Sequence, residues 1–90
     1  MFHLFLATPE NVIFHDKANY LKAPGSEGYF EILPNHAPII SILKQGRVEF
    51  IDKEHKKWAL EISGGLLEVH HNEVSLLADA VIHSSGVDHQ

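Results

Sequence analysis

Residues 46–79 read GRVEFIDKEHKKWALEISGGLLEVHHNEVSLLAD, and this stretch decides the fold class. Apolar side chains alternate with mostly polar ones along residues 46–51, 58–63 and 74–79. A period of two is typical of β-strands that bury one face, because successive side chains of a strand point to opposite sides. The stretch therefore predicts three half-buried strands, with Trp58 directed toward the core.

Short turn signals separate these strands. Residues 52–55 predict a loop, and Gly64-Gly65 predicts a bulge or corner, because apolar strand residues flank the two glycines closely. His71-Asn72 has the spacing of a two-residue hairpin turn, in which Asn tolerates positive φ. Short strands at intervals of about 8–12 residues indicate an all-β fold, an antiparallel β-sandwich or flattened barrel.

The first half of the chain carries an apolar opening and two loops. Residues 1–7 predict a first strand rather than a signal peptide, because no basic segment precedes the short apolar run. Residues 23–28 and 34–38 predict the loops, and two prolines stiffen the second and hold His36 in a fixed pose. Taken alone, this loop and the apolar run 39–43 are equally consistent with the start of a buried strand and with a docking surface.

The composition sets limits on the class of protein. The chain has 90 residues, no cysteine, and 7 basic against 12 acidic residues, for a net charge of −5. The length allows one domain, which we assign to residues 1–84, followed by a short polar C-terminal tail at 85–90. The acidic balance argues against nucleic acid or an anionic membrane as a partner, because both are bound through Lys and Arg. No segment has the about 18 to 20 apolar residues of a membrane helix, and the default location is cytosolic.

The eight histidines do not predict a metal site. His70 and His71 are adjacent, so in a strand they point to opposite faces and cannot chelate one ion. The others are scattered, whereas a metal site is defined by ligand number and geometry. We therefore expect no metal and no cofactor.

Catalytic motifs are not evident either. Ser26 or Ser63 could be combined with His36 and Asp79 into a hydrolytic triad, but the chain has no G-x-S-x-G motif. The glycine-rich turn at 25–28 lacks the Lys of a phosphate loop, and its one charge is acidic. We therefore expect no catalytic residue and no activity of the chain on its own.

Several blocks resemble one family in the right order. Residues 25–28 (GSEG) and 32–38 (ILPNHAP) resemble the loop motif of the epsilon subunit of F-type ATP synthases, called delta in mitochondria. Residues 6–10 (LATPE), 60–69 (LEISGGLLEV) and 74–80 (VSLLADA) also resemble that family, so the resemblance covers nearly the whole chain. It implies a ten-stranded antiparallel β-sandwich, in agreement with the alternation.

The resemblance also implies a function. Such a chain is a non-catalytic rotor subunit of the central stalk, which binds the gamma subunit and the c ring and is linked through them to the alpha/beta catalytic head. It helps couple proton (or sodium) translocation to ATP synthesis, as a peripheral protein at the cytoplasmic face of the bacterial inner membrane with no direct insertion. The residues that we expect at these interfaces are Glu27, Tyr29, Phe30, Glu31, Asn35, His36, Pro38 and Ile40. An apolar patch is expected to include some of Phe30, Ile39, Ile40 and Leu43.

Three positions depart from the family pattern. Tyr29 stands where the family usually has an acidic residue facing the c ring, and Glu31 stands where it usually has Gly. Our hypothesis is that Glu31 supplies the missing acid, because a shift of two residues in an extended segment keeps the same face. Asn35 also replaces a Gly, which is a mild change if its backbone is left-handed.

The last expectation concerns the end of the chain. Typical bacterial members continue into a helical hairpin that can inhibit ATP hydrolysis and, in some relatives, helps bind ATP. The sequence stops at Gln90, so we expect no C-terminal helical domain, no inhibition by helix insertion and no ATP site.

The alternative function is a stand-alone β-sandwich binding module for a protein or a small ligand. Such a module predicts a concave face lined by aromatic side chains. A stalk subunit predicts instead a protein-binding surface for gamma.

Overall fold

The computed structural model describes residues 1–88, with side chains for residues 1–83. Nine strands and no helix lie within the described residues, where the resemblance implies ten strands. The strands are β1 Phe2–Ala7, β2 Val12–Gly25, β3 Gly28–Ile32, β4 Ile39–Leu43, β5 Gly46–Asp52, β6 Lys57–Ile62, β7 Gly65–His70, β8 Glu73–Ala78 and β9 Val81–Asp88.

The nine strands form one continuous sheet that folds into two layers. The first layer contains β4, β7, β8, β1 and the first half of β2. The second contains β3, the second half of β2, β5, β6 and β9. With 14 residues, β2 is long enough to serve both layers. The predicted all-β sandwich is confirmed.

One pairing differs from the antiparallel arrangement that the sequence predicts. β1 and β8 run parallel, in a register from His3 opposite Glu73 to Ala7 opposite Leu77. Strands joined by a hairpin must be antiparallel, but strands that are distant in the chain can pair in either direction. Six strands separate β1 from β8, so no local turn fixes their relative direction.

The core lies between the layers, where the alternation places it. Val48, Phe50, Leu60 and Ile62 of the second layer are buried, as are Val74 and other inward residues of the first. Trp58 is half-buried and stacks on Phe50, with ring centroids 5.5 Å apart. The faces predicted for these three strands are therefore confirmed.

The turns around β7 are also as predicted. His71 and Asn72 have φ values of 50° and 59°, as a two-residue hairpin turn requires. Gly64 has φ 146° at the corner where the chain passes between the layers, and its carbonyl accepts a hydrogen bond from the N–H of Asp79 at 2.9 Å.

The longer loop predicted at residues 23–28 is wrong. β2 continues to Gly25 and β3 begins at Gly28, which leaves a two-residue turn. Pro24 is tolerated in the strand because the pairing of β2 with β5 ends at Lys22, so the N–H that proline lacks is not needed by that ladder. The Pro24 carbonyl still accepts a hydrogen bond from the N–H of Lys44 at 2.9 Å.

The last strand, β9, extends beyond residue 84, the predicted end of the sandwich. β9 pairs with β6 as far as Asp88, opposite Lys57. Residues 89 and 90 lie outside the described residues, so the predicted tail at 85–90 falls partly on them.

The loop between β5 and β6 is closed by a buried carboxylate. Asp52 accepts hydrogen bonds from the N–H of Glu54 at 2.8 Å, the N–H of Lys56 at 3.0 Å and Nε1 of Trp58 at 3.1 Å. Burial raises the pKa of Asp52, but the three hydrogen bonds outweigh it, so the pKa lies below the ordinary value of 3.8. The carboxylate thus joins the loop to the aromatic part of the core.

Replacing Asp52 with Asn should destabilise the chain by about 1–3 kcal/mol, because the amide NH2 group would face the Trp58 N–H donor. Thermal unfolding at neutral pH measures the loss, with the exposed Glu10→Gln as control. The pKa of Asp52 is lowered in the folded state. The difference in free energy of unfolding between wild type and Asp52→Asn is therefore fully present above about pH 4, and it disappears as the pH falls through that lowered pKa. Equal unfolding midpoints for Asp52→Asn and wild type at pH 7 would contradict this role.

Candidate protein-interaction surface

Four exposed apolar side chains form a patch on the outer face of the first layer. Ile40 is 71% exposed, Ile42 67%, Leu66 41% and Leu77 47%. Ile42 lies opposite Leu66, and Leu66 lies opposite Leu77, so these three side chains cross β4, β7 and β8 in one row. Ile40 lies two residues from Ile42 on the same face. We call these four residues the outer patch; a contiguous exposed apolar surface marks an interaction site.

Only part of this patch was predicted. Ile40 is exposed, but Leu43 is buried, and Phe30 and Ile39 pack against the core. The reason is the alternation within β3 and β4, which turns these three side chains inward.

Sequence reasoning missed Leu66 and Leu77 as members of the surface. Both occupy outward positions of strands whose inward positions are already apolar. An apolar residue at the polar position of an alternating strand was the signal that could have identified them.

Two depressions flank Ile40 and bring several predicted residues together. The first has a volume of about 570 Å³ and lies between the β2–β3 turn and β4, lined by Glu27, Tyr29, Phe30, Ile40 and Ile42 with Gly25, Ser26, Gly28 and Ser41. The N–H of Ser26 donates to the Ile42 carbonyl at 3.0 Å, which fixes the turn against the strand. The second is lined by Pro38, Ile39, Ile40, Glu68, Val69 and His70.

The β3–β4 loop is fastened to the β7–β8 turn. The N–H of Asn35 donates to Oδ1 of Asn72 at 2.6 Å, and Nδ2 of Asn72 donates to Oδ1 of Asn35 at 2.9 Å. Asn35 has φ 67°, so its backbone is left-handed, the condition under which its replacement of Gly is mild. His36 is half-buried, with Nδ1 2.7 Å from the Ala37 carbonyl. Asn35 and His36 line neither depression.

Tyr29 and Glu31 are exposed on β3, on the outer face of the second layer. The Tyr20 hydroxyl donates a hydrogen bond to Oε2 of Glu31 at 2.9 Å. The backbone N–H of Arg47 donates a hydrogen bond to the Tyr29 hydroxyl oxygen at 2.9 Å. Burial raises the pKa of Tyr20, and the neighbouring Glu31 carboxylate raises it further. Tyr29 and Glu31 share one face, as expected, but Glu31 points away from the outer patch.

The described residues offer little for catalysis or metal binding. The Ser63 hydroxyl lies 3.5 Å from the Ala80 carbonyl, so it contacts the backbone rather than His36. No group of three or more histidine, cysteine or acidic residues that could hold a metal ion lies among the described residues. In the same part of the chain, no helix is long and apolar enough to cross a membrane.

Three aromatic side chains form a cluster between β2, β5 and β6. Phe14 lies 4.7 Å from Phe50 and 5.6 Å from Trp58, measured between ring centroids. These three rings therefore pack on one another at the core, and Phe50 and Trp58, together with Tyr20, also line a depression of about 320 Å³ at β5 and β6.

Two curated proteins similar to this chain are named ATP synthase epsilon chain. The protein named ATP synthase epsilon chain from Protochlamydia amoebophila is 36% identical over 81 residues, 90% of this chain and 55% of that protein. Its namesake from Campylobacter concisus is 40% identical over 84 residues, 93% of this chain and 65% of that protein. The chain thus spans 55% to 65% of the length of the curated relatives that it matches.

Two solved structures share the fold. One is a chain of the Euglena gracilis mitochondrial ATP synthase, OSCP/F1/c-ring in rotational state 1, with a TM-score of 0.81, 22% identity, and coverage of 89% of this chain and 51% of that one. The other belongs to the central stalk/c-ring of the Tetrahymena thermophila mitochondrial ATP synthase, with a TM-score of 0.77, 17% identity, and coverage of 90% and 65%.

The sequence itself matches a known domain over most of its length. Residues 1–84 match the family described as ATP synthase, Delta/Epsilon chain, beta-sandwich domain. The match confirms the resemblance, and the chain belongs to this family.

Proposed function

We propose that this chain is a non-catalytic central-stalk subunit of an F-type ATP synthase. It binds the gamma subunit through the outer patch and the c ring through the β3 surface around Tyr29 and Glu31, and so helps couple ion translocation to ATP synthesis in the alpha/beta head. It is peripheral, at the cytoplasmic face of the bacterial inner membrane. The observation that carries the proposal is an outer patch of exposed apolar side chains on a chain of the delta/epsilon family.

The outer patch suits a lasting contact. A subunit that turns together with its partner needs an interface that survives many turnovers, and lasting interfaces are the more apolar ones. A standard interface buries about 800 Å² of each partner, which is about 15% of the 5325 Å² surface of this chain. The surface therefore accommodates one contact at the outer patch and a second at β3.

The β3 surface suits a polar partner. Tyr29 presents an aromatic ring with a hydroxyl group, and Lys22 Nζ lies 5.3 Å from the centre of that ring. Glu31 adds a carboxylate on the same face, held by the Tyr20 hydroxyl. The polar loops of a c ring, which the family resemblance gives as the partner of this region, match such a surface.

Replacing Glu31 with Ala should weaken attachment to the c ring about three- to tenfold, because it removes an exposed carboxylate that contacts polar groups of the ring. Co-sedimentation with purified ring and gamma measures the attachment. The control is Glu10→Ala, which removes another exposed carboxylate, from the β1–β2 connection. Unchanged attachment of Glu31→Ala would contradict the assignment of the ring contact to Glu31.

The experiment that tests the proposed function is size-exclusion chromatography with light scattering of this chain mixed with gamma from the same organism. We expect a stable one-to-one complex and no ATP hydrolysis by the chain alone. Absence of a complex at micromolar concentrations would overturn the proposal.

A further inference from the structure

One residue of the β7–β8 turn holds three segments of the chain together. The side chain of Asn72 accepts a hydrogen bond from the N–H of Asn35 at 2.6 Å and donates one to Oδ1 of Asn35 at 2.9 Å. Its backbone carbonyl accepts a third from the N–H of His3, in β1, at 2.8 Å. Asn72 thus fastens the β3–β4 loop, residues 33–38, to the first layer. We call the two bonds between Asn35 and Asn72 the amide clasp.

The turn itself does not require an amide side chain at Asn72. Both turn residues are left-handed, with φ 50° at His71 and 59° at Asn72, and Asn35 has φ 67°. Asn adopts this conformation more readily than most residues, but His71 adopts it as well. Both turn positions therefore need a residue that tolerates positive φ, whereas only Asn72 forms the clasp.

The clasp fixes a loop that has few other attachments. Among the described residues, no other side-chain hydrogen bond joins residues 33–38 to another segment. Nδ1 of His36 lies 2.7 Å from the carbonyl of its neighbour Ala37, so this contact stays within the loop. The clasp is therefore the polar link through which the side chains of this loop are held to the first layer.

The loop leads directly into the strand that carries half of the outer patch. β4 pairs with β7 along its whole length. Among the described residues, β2 and the β2–β3 turn attach the other side of β4 only at its C-terminal end, at Ile42 and Leu43. The N-terminal end carries Ile40, which is 71% exposed. Because this end follows the loop, the clasp helps to fix where Ile40 lies.

The clasp also links the two sides of a depression beside the outer patch. Pro38 and Ile40 lie on one side, and Glu68 and His70 of β7 lie on the other. The first side follows the β3–β4 loop, and the second side is followed by the β7–β8 turn. A bond between loop and turn therefore holds the two sides in a fixed relation.

We propose that Asn72 is a positioning residue for the binding of gamma. Its amide group holds the β3–β4 loop, and through the loop the N-terminal end of β4, in the binding conformation before gamma arrives. A loop that is ordered in the free protein loses less conformational entropy on binding, so the affinity is higher. The inference rests on the proposed function, because gamma is the partner whose binding it concerns.

The first test compares two variants of the same turn. Asn72→Gly tolerates the positive φ and removes both bonds of the clasp, whereas His71→Gly introduces the same backbone freedom and leaves the clasp in place. In titration calorimetry, Asn72→Gly should bind gamma about tenfold more weakly than His71→Gly. Equal affinities would overturn the positioning role while the proposed function stands. Absence of a complex between gamma and the wild type would overturn both.

Two further variants separate positioning from a general loss of stability. Asn72→Asp keeps the acceptor for the Asn35 N–H, and a rotated Asn35 amide can donate to its second oxygen, so the affinity should stay within about threefold of wild type. Asn35→Gly should weaken binding less in the Asn72→Gly background than in the wild type, because the clasp is already lost there. Asn72→Asp binding as weakly as Asn72→Gly, or additive effects of the two glycine substitutions, would overturn the role of the clasp.

Amide hydrogen exchange of the unmodified free chain gives a test that does not depend on how the variants fold. The Asn35 N–H should exchange at least about tenfold more slowly than in an unfolded peptide of the same sequence, because it is held by Oδ1 of Asn72. An Asn35 N–H that exchanges as fast as in the peptide would overturn the inference, since the loop would then not be ordered before gamma binds.

Discussion

Gly65→Ala is expected to destabilise the chain by more than about 3 kcal/mol, a large part of the about 5–15 kcal/mol that stabilises a typical domain. Gly65 is the first residue of β7 and lies opposite Ala78 of the neighbouring strand β8. A Cβ atom placed there would collide with the Leu77 carbonyl oxygen and lie 3.0 Å from Cα of Ala78. Both atoms belong to the backbone of β8, so no side-chain rotation can relieve the clash, and the two strands must separate.

The measurement is urea unfolding followed by Trp58 fluorescence. Gly28→Ala is the matched control, because Gly28 has φ 135° but open space where its Cβ would lie. Gly28→Ala should be destabilised only by backbone strain, which lowers the free energy of unfolding by about 1–3 kcal/mol. If Gly65→Ala proved no less stable than Gly28→Ala, the close approach of β7 and β8 would not be a constraint on this fold.

Ile42→Glu is expected to weaken binding to gamma at least 30-fold. Ile42 lies in the outer patch, next to Leu66 across the ladder and to the β2–β3 turn. The substitution removes an apolar contact and would place a charge inside a desolvated interface, where it has no partner. Substituting a central interface residue of this kind reduces the binding free energy by about 2 kcal/mol or more, which corresponds to a loss of about 30-fold in affinity.

The control for this prediction is Ile82→Glu, the same change at a residue of β9 in the second layer. Ile82 is 52% exposed and Ile42 is 67% exposed, so neither change should alter the free energy of unfolding by more than about 0.5 kcal/mol. Titration calorimetry with gamma compares the two variants. Equal affinities would show that the outer patch is not the gamma-binding surface.

The strands and their inward faces could be predicted from residues close together in the chain. Val48 and Phe50, or Val74 and Leu76, are buried because period-two alternation is a local property of extended backbone. The His71-Asn72 turn was equally local, because Asn adopts positive φ at low cost. The loop at 23–28 was predicted wrongly because Pro24 is a turn signal whose effect depends on whether a neighbouring strand needs its N–H.

Only part of the candidate interaction surface could be predicted from the sequence. The resemblance indicated residues 27–40, but those residues divide between two outer faces of the sandwich, with Ile40 on one and Glu31 on the other. Asn35 and Asn72 are 37 residues apart, and no local pattern indicates that their side chains meet.

The sequence by itself determined where the strands and tight turns lie and which side chains point inward, because both depend on the conformational preferences of neighbouring residues. Only the tertiary structure decided which strands are neighbours. It paired β1 with β8 in parallel, aligned Ile42, Leu66 and Leu77 in one row, and left one edge of β4 open. The physical reason is that strand pairing is a long-range choice, fixed by how all the apolar faces are buried together rather than by any one segment.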